Sequence, residues 1–131
     1  MRILGIDYGT KRIGIAISDP NAQFALPHSV LQNSISKKQS VIDAIISIAT
    51  ANAVQKVIVG ESRDYKGVAN KILPDVLELK KELEKHNLTV HLELEFMTSQ
   101  QAERFQGKTQ NTDASAAALI LQSYLDSHKN K

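Results

Sequence analysis

The chain has 131 residues, a formal net charge of +2 and a hydrophobic content of 42%, which is ordinary for one globular domain. It contains no cysteine, so disulfide frameworks and thiolate metal sites are excluded. Its apolar runs are shorter than the roughly 20 residues that cross a bilayer, and the N-terminus lacks a signal-peptide pattern. We therefore expect a single domain over residues 1–131, located in the cytoplasm without a membrane partner. The charge is compatible with a nucleic-acid partner but does not demonstrate one.

Three short strands are predicted at the start of the chain. Residues 2–8 are almost entirely apolar, as expected of a central strand buried on both faces. In residues 12–18, isoleucines alternate with small residues, which predicts a strand with one bulky face and one thin face. Residues 24–31 form a third candidate strand, interrupted by Pro27. Because the connections are short turns, the sheet is predicted to begin as an antiparallel meander.

The pattern becomes helical after the third strand. Ser36 and Gln39 have the spacing of a capping box, which predicts the start of a helix. Residues 56–60 form a short apolar run, which predicts a buried strand. A second helix is predicted next, with Pro74 near the start of its regular part. Its apolar face comprises Ile72, Val76, Leu79 and Leu83.

The last third of the chain is predicted to contain a strand and two helices. Residues 89–95 alternate apolar and polar side chains, which indicates a strand with one polar face. Thr98 and Gln101 indicate a short helix, residues 105–111 a polar loop, and residues 112–126 the last helix. A meander followed by strand–helix–strand units predicts an α/β fold, with a mixed five-stranded sheet and helices on both faces.

Asp7 stands at the end of the first predicted strand, where a carboxylate is costly to bury. Two interpretations stay open. The carboxylate either accepts hydrogen bonds from the backbone of the following turn or contributes to a functional site. Glycines at positions 5, 9 and 14 favour the second interpretation, because they leave room for a ligand or a second element to approach the backbone.

Two further carboxylates lie at the ends of predicted elements. Asp113 lies in the first turn of the last helix, where an acid also interacts favourably with the helix dipole. It shares a face with Ala117, Ile120 and Tyr124, so that face is predicted to pack inward. Glu95 ends the last strand, and open α/β sheets bind ligands beyond the ends of their strands. The alternatives remain that Asp113 only stabilises the start of the helix and that Glu95 is only solvated.

Three carboxylates at the ends of buried elements predict a hard, oxygen-rich site that suits Mg²⁺ or Mn²⁺. Such ions activate water for phosphodiester cleavage. The four histidines show no metal-ligand spacing. Basic residues on loops and element starts are candidates for phosphate contacts, with ordinary solvated charge as the alternative for each. They are Lys11, Arg12, Arg63, Lys66, Arg104 and Lys108.

Residues 7–16 (Asp-Tyr-Gly-Thr-Lys-Arg-Ile-Gly-Ile-Ala) resemble the opening motif of the YqgF (RuvX) family. Later segments match further motifs of the family, so that the resemblance covers almost the whole chain. They are residues 57–60 with the loop to Gly67, Glu95 with Thr98 and Ser99, and residues 113–124. The family comprises small bacterial proteins related to Holliday-junction resolvases and described as candidate nucleases that mature the precursor of small-subunit ribosomal RNA.

The resemblance implies a ribonuclease H-like fold and a metal-dependent endonuclease with Asp7, Glu95 and Asp113 as its acidic site. The implied substrates are pre-16S rRNA, matured at its 5′ end, or branched DNA. We expect a monomer or a weak homodimer. The sequence departs from the family pattern beside the glutamate, where Leu94 and Phe96 replace an aspartate and an arginine.

Two other functions remain open. Residues 5–10 also resemble the first phosphate motif of the actin, hexokinase and heat-shock ATPases, but the chain has one domain's length and no second copy of the motif. The other alternative is a non-catalytic ribonuclease H-like module that binds RNA or a protein, and the altered neighbours of Glu95 keep it open. Substitution of the carboxylates distinguishes such a module from an enzyme, because a binding module should tolerate the loss of metal.

Overall fold

The computed structural model describes residues 2–9, 11–60, 69–93 and 112–127. The strands are β1 (Arg2–Tyr8), β2 (Arg12–Ser18), β3 (Ala25–Gln32), β4 (Val54–Gly60) and β5 (Thr89–Glu93). The helices are α1 (Lys38–Ala51), α2 (Ala69–Lys85) and α3 (Thr112–Ser127), with a 3₁₀ turn at Ile35–Lys37 before α1. In these ranges no helix combines the length and the apolar character needed to cross a membrane.

The strands form one sheet in the order β3-β2-β1-β4-β5. On one side of β1, β2 and β3 follow in antiparallel pairing. On the other side, β4 and β5 follow in parallel pairing. The predicted mixed five-stranded sheet is therefore confirmed. Since β1, β4 and β5 are parallel, their C-terminal ends lie at the same end of the sheet.

The face of the sheet that packs with α1 and α2 is called the bulky face. The side chains of Leu4 and Ile6 on β1 and of Ile15 on β2 are buried there. The helices contribute a matching set of buried aliphatic residues. These are Val41, Ile42 and Ile45 from α1 and Val76, Leu79 and Leu83 from α2. The apolar face predicted for the second helix is thus confirmed at Val76, Leu79 and Leu83. Pro74 lies in the second turn of α2.

The opposite face, called the thin face, packs with α3. Here β1 presents Gly5 and β2 presents Ala16, which confirms the alternation predicted for the second strand. The small residues allow close packing: a Cβ atom built on Gly5 would lie 2.7 Å from the Cβ of Leu121 and 3.1 Å from the carbonyl oxygen of Ala117. The inward face predicted for the last helix is confirmed at Ala117, Ile120 and Tyr124.

A glutamine of α3 fixes the helix to the start of β3. The side-chain oxygen of Gln122 accepts a hydrogen bond from the Ala25 N–H at 2.8 Å, and its Nε2 donates to the Gln23 carbonyl at 3.0 Å. One side-chain amide therefore satisfies two backbone groups of the β3 region. The last helix is attached in this way to the far side of the sheet as well as to its centre.

The predicted capping box at Ser36 is wrong. The chain enters α1 through the 3₁₀ turn, and the residues before the two segments, Ser34 and Lys37, make no side-chain cap. The Ser36 hydroxyl lies 3.2 Å from that of Ser34, and Gln39 donates to Asp43 on the helix surface at 3.0 Å. Four predicted features lie outside the described residues: the loop to Gly67, the end of β5 at 95, the short helix that Thr98 and Gln101 indicate, and the loop at 105–111.

Candidate metal centre at the C-terminal end of β1

Asp7 is the penultimate residue of β1 and is buried, with 6% of its surface exposed. It pairs with Gly14 on β2 and with Gly60 on β4. Since paired residues point to the same face of a sheet, the positions directly opposite Asp7 on both neighbouring strands have no side chain. Asp7 also lies two residues from Gly5 and therefore on the thin face. The two glycines leave room on both sides of its carboxylate.

The helix α3 runs antiparallel to β1 on the thin face. The hydroxyl of Tyr124 accepts a hydrogen bond from Lys56 Nζ, and Lys56 pairs with Ile3 near the start of β1. Ala117, two turns earlier in the helix, lies against Gly5, which is further along the strand. The N-terminus of α3 is therefore directed toward the C-terminal end of β1, where Asp7 lies.

Asp113 belongs to the first turn of α3. It precedes Ala117 by four residues, or about 6 Å along the helix axis. Asp7 follows Gly5 by two residues, or about 6.6 Å along the strand. Because the two steps are nearly equal, the backbone of the first helical turn reaches about the level of Asp7. The side chain of Asp113 lies outside the described part of the molecule.

The edge strand β5 ends beside the same part of the sheet. Glu93 pairs with Gly60, which pairs with Asp7, so the backbones of these three residues form one row across the sheet. At about 4.8 Å per strand, Asp7 and Glu93 are separated by roughly 10 Å. Glu95, the second predicted ligand, follows two residues later and lies outside the described residues.

The turn between β1 and β2 begins after Tyr8, the residue that follows Asp7. It contains Lys11 and leads into Arg12, and both predicted phosphate-binding residues are exposed. The turn is tight, since a Cβ atom on Gly9 would lie 2.5 Å from the carbonyl oxygen of Arg12. Asn33 contacts the turn twice. Its Nδ2 donates to the Gly9 carbonyl at 2.7 Å, and its backbone N–H donates to the Lys11 carbonyl at 2.8 Å.

Sequence reasoning did not identify Asn33. The usable signal was the pairing of β2 with β3: the last pair is Arg12 with Gln32, and one further step brings Asn33 opposite Lys11. Lys37, four residues after Asn33, was also missed and is exposed. It is a third described cation near this end of the sheet.

Polar contacts of a different kind lie on the bulky face at this end of the sheet. Burial raises the pKa of Tyr8, and the hydrogen bond with the Asn33 side chain opposes that rise. Lys38 Nζ lies 2.9 Å from Asp75 and 3.1 Å from Glu78, and these carboxylates raise the pKa of Lys38. Lys38 is therefore engaged with α2.

Within the described side chains, no three acids or histidines lie close enough together to hold a metal ion. Two of the three predicted ligands, Glu95 and the side chain of Asp113, are outside that part of the chain. The same is true of Arg63, Lys66, Arg104 and Lys108. What is described fits a hard divalent ion: Asp7 has carboxylate oxygens, and glycines on both neighbouring strands leave room for a ligand beside them.

Two solved structures share the architecture of this chain. RuvC of Thermus thermophilus, in complex with a Holliday junction substrate, aligns with a TM-score of 0.68 and 13% identity over 99% of this chain and 96% of its own. The Fowlpox virus resolvase, in complex with Holliday junction DNA, aligns with a TM-score of 0.52 and 14% identity over 98% and 99% of the two chains. The fold is therefore the ribonuclease H-like α/β fold of the resolvases, as predicted.

The chain is an enzyme of the nuclease class with this fold. It belongs to the RuvX family, described as Holliday junction resolvase, whose profile matches residues 1–127. A relative from Rickettsia canadensis (strain McKiel) is 31% identical, and one from Rickettsia akari (strain Hartford) is 33% identical. In both alignments 98% of this chain and 88% of the relative are covered, and both relatives are named as candidate pre-16S rRNA nucleases. The resemblance found in the sequence is confirmed.

Proposed function

We propose that this chain is an endonuclease in which Asp7, Glu95 and Asp113 bind Mg²⁺ or Mn²⁺. The observation that supports this most is the environment of Asp7, which is buried, lies between two glycines and faces the approaching N-terminus of α3. A buried carboxylate is costly unless hydrogen bonds or a cation stabilise it. Glycines on both neighbouring strands leave room for an ion and a phosphate group.

A divalent ion bound there lowers the pKa of a coordinated water and neutralises charge on a phosphate. The residues of the chain have complementary roles. The carboxylates hold the ion, and the burial of Asp7 limits competition from bulk water. Lys11 and Arg12 contact phosphates beside the cleaved bond because they lie in and after the turn at the C-terminal end of β1, where Asp7 lies. Further phosphate contacts are assigned to Arg63, Lys66, Arg104 and Lys108.

The proposed substrate is pre-16S rRNA, cleaved during maturation of its 5′ end in the cytoplasm. This choice is supported by the names of the Rickettsia relatives, which align over nearly the whole of this chain. Contacts with phosphates fix the position of the nucleic acid and carry no sequence information by themselves. A monomer is sufficient to cut one strand, and we propose a monomer or a weak homodimer.

Branched DNA is the second candidate substrate. It is supported by the description of the family and by the structural similarity to RuvC and the Fowlpox virus resolvase. Cutting two strands of a four-way junction symmetrically requires two active sites. This candidate therefore predicts that two copies of the chain assemble on the junction, whereas the RNA substrate does not require a pair.

Cleavage of the two substrates by wild type and Asp7→Asn tests the proposal. We expect Asp7→Asn to reduce divalent-dependent cleavage by about a hundredfold or more, because even residues that only support metal ligands cost up to that much. Its fold and much of its nucleic-acid binding should remain. Asp43→Asn, on the exposed side of α1, is the matched control and should cleave as wild type does.

Equal cleavage by wild type and Asp7→Asn would reject the proposal, because it would point to a contaminating nuclease. A second measurement does not depend on activity. Mn²⁺ should raise the melting temperature of wild type, since a ligand that binds the folded state stabilises it, and should raise that of Asp7→Asn less. An equal rise in both proteins would exclude Asp7 as a metal ligand. The faster-cleaved substrate decides between RNA and DNA.

A further inference from the structure

We propose that Asn33 is a positioning residue of the nuclease site: its side chain fixes the β1–β2 turn so that Lys11 meets a substrate phosphate beside Asp7. This inference rests on the proposed function and adds to it a residue outside the acidic set and the basic loops. The residue belongs to the end of the β3 region, so the phosphate-binding turn depends on a strand that contributes no ligand of its own.

The contacts of Asn33 reach both halves of the turn. Its Nδ2 donates to the Gly9 carbonyl at 2.7 Å, directly after β1. Its backbone N–H donates to the Lys11 carbonyl at 2.8 Å, directly before β2. One half-buried residue thus contacts positions 9 and 11.

The turn needs such support because a glycine lies at its tightest point. Gly9 leaves no room for a Cβ atom against the Arg12 carbonyl, and glycine has the largest conformational freedom to lose on folding. The long side chain of Lys11 is exposed, so packing does not fix its base. A displacement of the backbone by about 1 Å is enough to weaken a positioned contact strongly.

Substitution can remove the side-chain half of this clamp and keep the other half. The backbone N–H of residue 33 still donates to the Lys11 carbonyl in Asn33→Ala, so the last step of strand pairing is kept. Asn33→Ala removes the donor to the Gly9 carbonyl. The turn then keeps the bond at Lys11, before β2, and loses the bond at Gly9, after β1.

The salt dependence of nucleic-acid binding tests this role, because its slope reports the number of phosphate contacts and is insensitive to fold stability. The probes are a fluorescein-labelled RNA hairpin with the pre-16S 5′ cleavage region and a labelled four-way DNA junction, each without divalent ions. Lys11→Ala should lower the slope of log K against log[salt] by about one. Asn33→Ala should lower it by about the same amount. In the double variant, Asn33→Ala should weaken binding by less than about twofold beyond Lys11→Ala.

Asn52→Ala is the matched control. Asn52 Nδ2 donates to the Ile48 carbonyl at 2.8 Å, which is the same type of half-buried amide–carbonyl bond, but at the C-terminal end of α1. The slope of log K against log[salt] for Asn52→Ala should equal that of wild type. If Asn33→Ala does not fold, Asn33→Ser, whose hydroxyl is too short to span the same distance, should show the same loss.

An unchanged slope in the Asn33 variants would overturn the inference while leaving the proposed function intact. So would full additivity of the Asn33 and Lys11 substitutions, because independent residues do not act through one another. Binding of wild type to neither probe would overturn both the inference and the proposed function.

Discussion

The two faces of the sheet are built from side chains of different size, and the candidate site lies on only one of them. On the bulky face, Leu4, Ile6 and Ile15 pack against two helices. On the thin face, Gly5 and Ala16 allow a single helix to approach closely, and the same face contains Asp7. The bulky face gains stability from the volume it buries. The thin face has small side chains and buries less volume. Its small residues allow a helix and, in our proposal, a ligand to come close to the buried Asp7.

This contrast predicts that the two faces respond to opposite kinds of substitution. Removing methyl groups should damage the bulky face, and adding one should damage the thin face. The first change acts on stability. The second should act on stability and on catalysis, because α3 is the element through which Asp113 reaches the site in our proposal.

The largest expected effect on stability comes from Ile15→Ala. Ile15 is fully buried in the bulky face, so the loss of its side chain should lower the free energy of unfolding by about 2–5 kcal/mol. Urea denaturation measures the change. Leu77→Ala is the control: 48% of Leu77 is exposed, and its truncation should change the free energy by less than about 0.5 kcal/mol. Equal effects of the two substitutions would mean that the bulky face is not the stabilising core.

A smaller stability effect with a larger functional effect is expected for Gly5→Ala. The added methyl meets Leu121 and the Ala117 carbonyl, so α3 must move, at a cost of about 1–3 kcal/mol. Cleavage should fall by up to about a hundredfold at a temperature where the variant is folded, because the first helical turn is displaced. Ile15→Ala, measured under the same conditions, should cleave nearly as wild type does. Equal activity of both variants would remove the functional distinction between the faces.

The smallest effect concerns neither face but the turn between β2 and β3. The backbone N–H groups of Phe24 and Gln23 donate to the Asp19 carboxylate at 2.8 and 2.7 Å and hold the pKa of Asp19 below its ordinary value of 3.8. The unfolded chain therefore takes up the proton first as pH falls. The contribution of this carboxylate to stability is complete above about pH 4 and is lost as pH falls through the lowered pKa.

Amide exchange at Gln23 and Phe24 provides the measurement. Below the lowered pKa of Asp19, both amide protons should lose protection relative to the intrinsic rate, while those of Ile13 and Ile15 on the same hairpin keep theirs. If the amides along β2 also lost protection at the same pH, the stability of the sheet, and not only that of the turn, would depend on the Asp19 carboxylate.

Much of the fold could be predicted because the buried residues of a strand or helix recur at regular intervals in the sequence. The apolar run of β1 and the alternation of β2 gave both strands with their observed ends, Arg2–Tyr8 and Arg12–Ser18. The small residues of β2 also indicated the thin face correctly. After the second helix, Asn87 adopts a left-handed backbone with φ of 67°, which ends the helical pattern two residues after Lys85.

The entry into α1 could not be predicted in the same way. Hydroxyl side chains at positions 34 and 36 are both compatible with a cap, and the choice depends on where the chain leaves β3, which sequence spacing does not encode. Asn33 was missed for a related reason, since its role comes from contacts with a turn more than 20 residues earlier. Of the acidic site, Asp7 has the predicted burial and position, whereas the joint role of Glu95 and Asp113 stays a prediction.

The hydrogen bond between Gln122 and Ala25 joins residues 97 positions apart, and α3 is the last described element of the chain. The thin face can therefore be covered only after nearly the whole chain has been made. At a synthesis rate of about 5–20 residues per second, Asp113 follows Asp7 out of the ribosome's catalytic centre by roughly 5–20 seconds. During that interval the nascent chain lacks one member of the proposed acidic site. The proposed nuclease activity is therefore expected only after α3 has been made and has packed on the thin face.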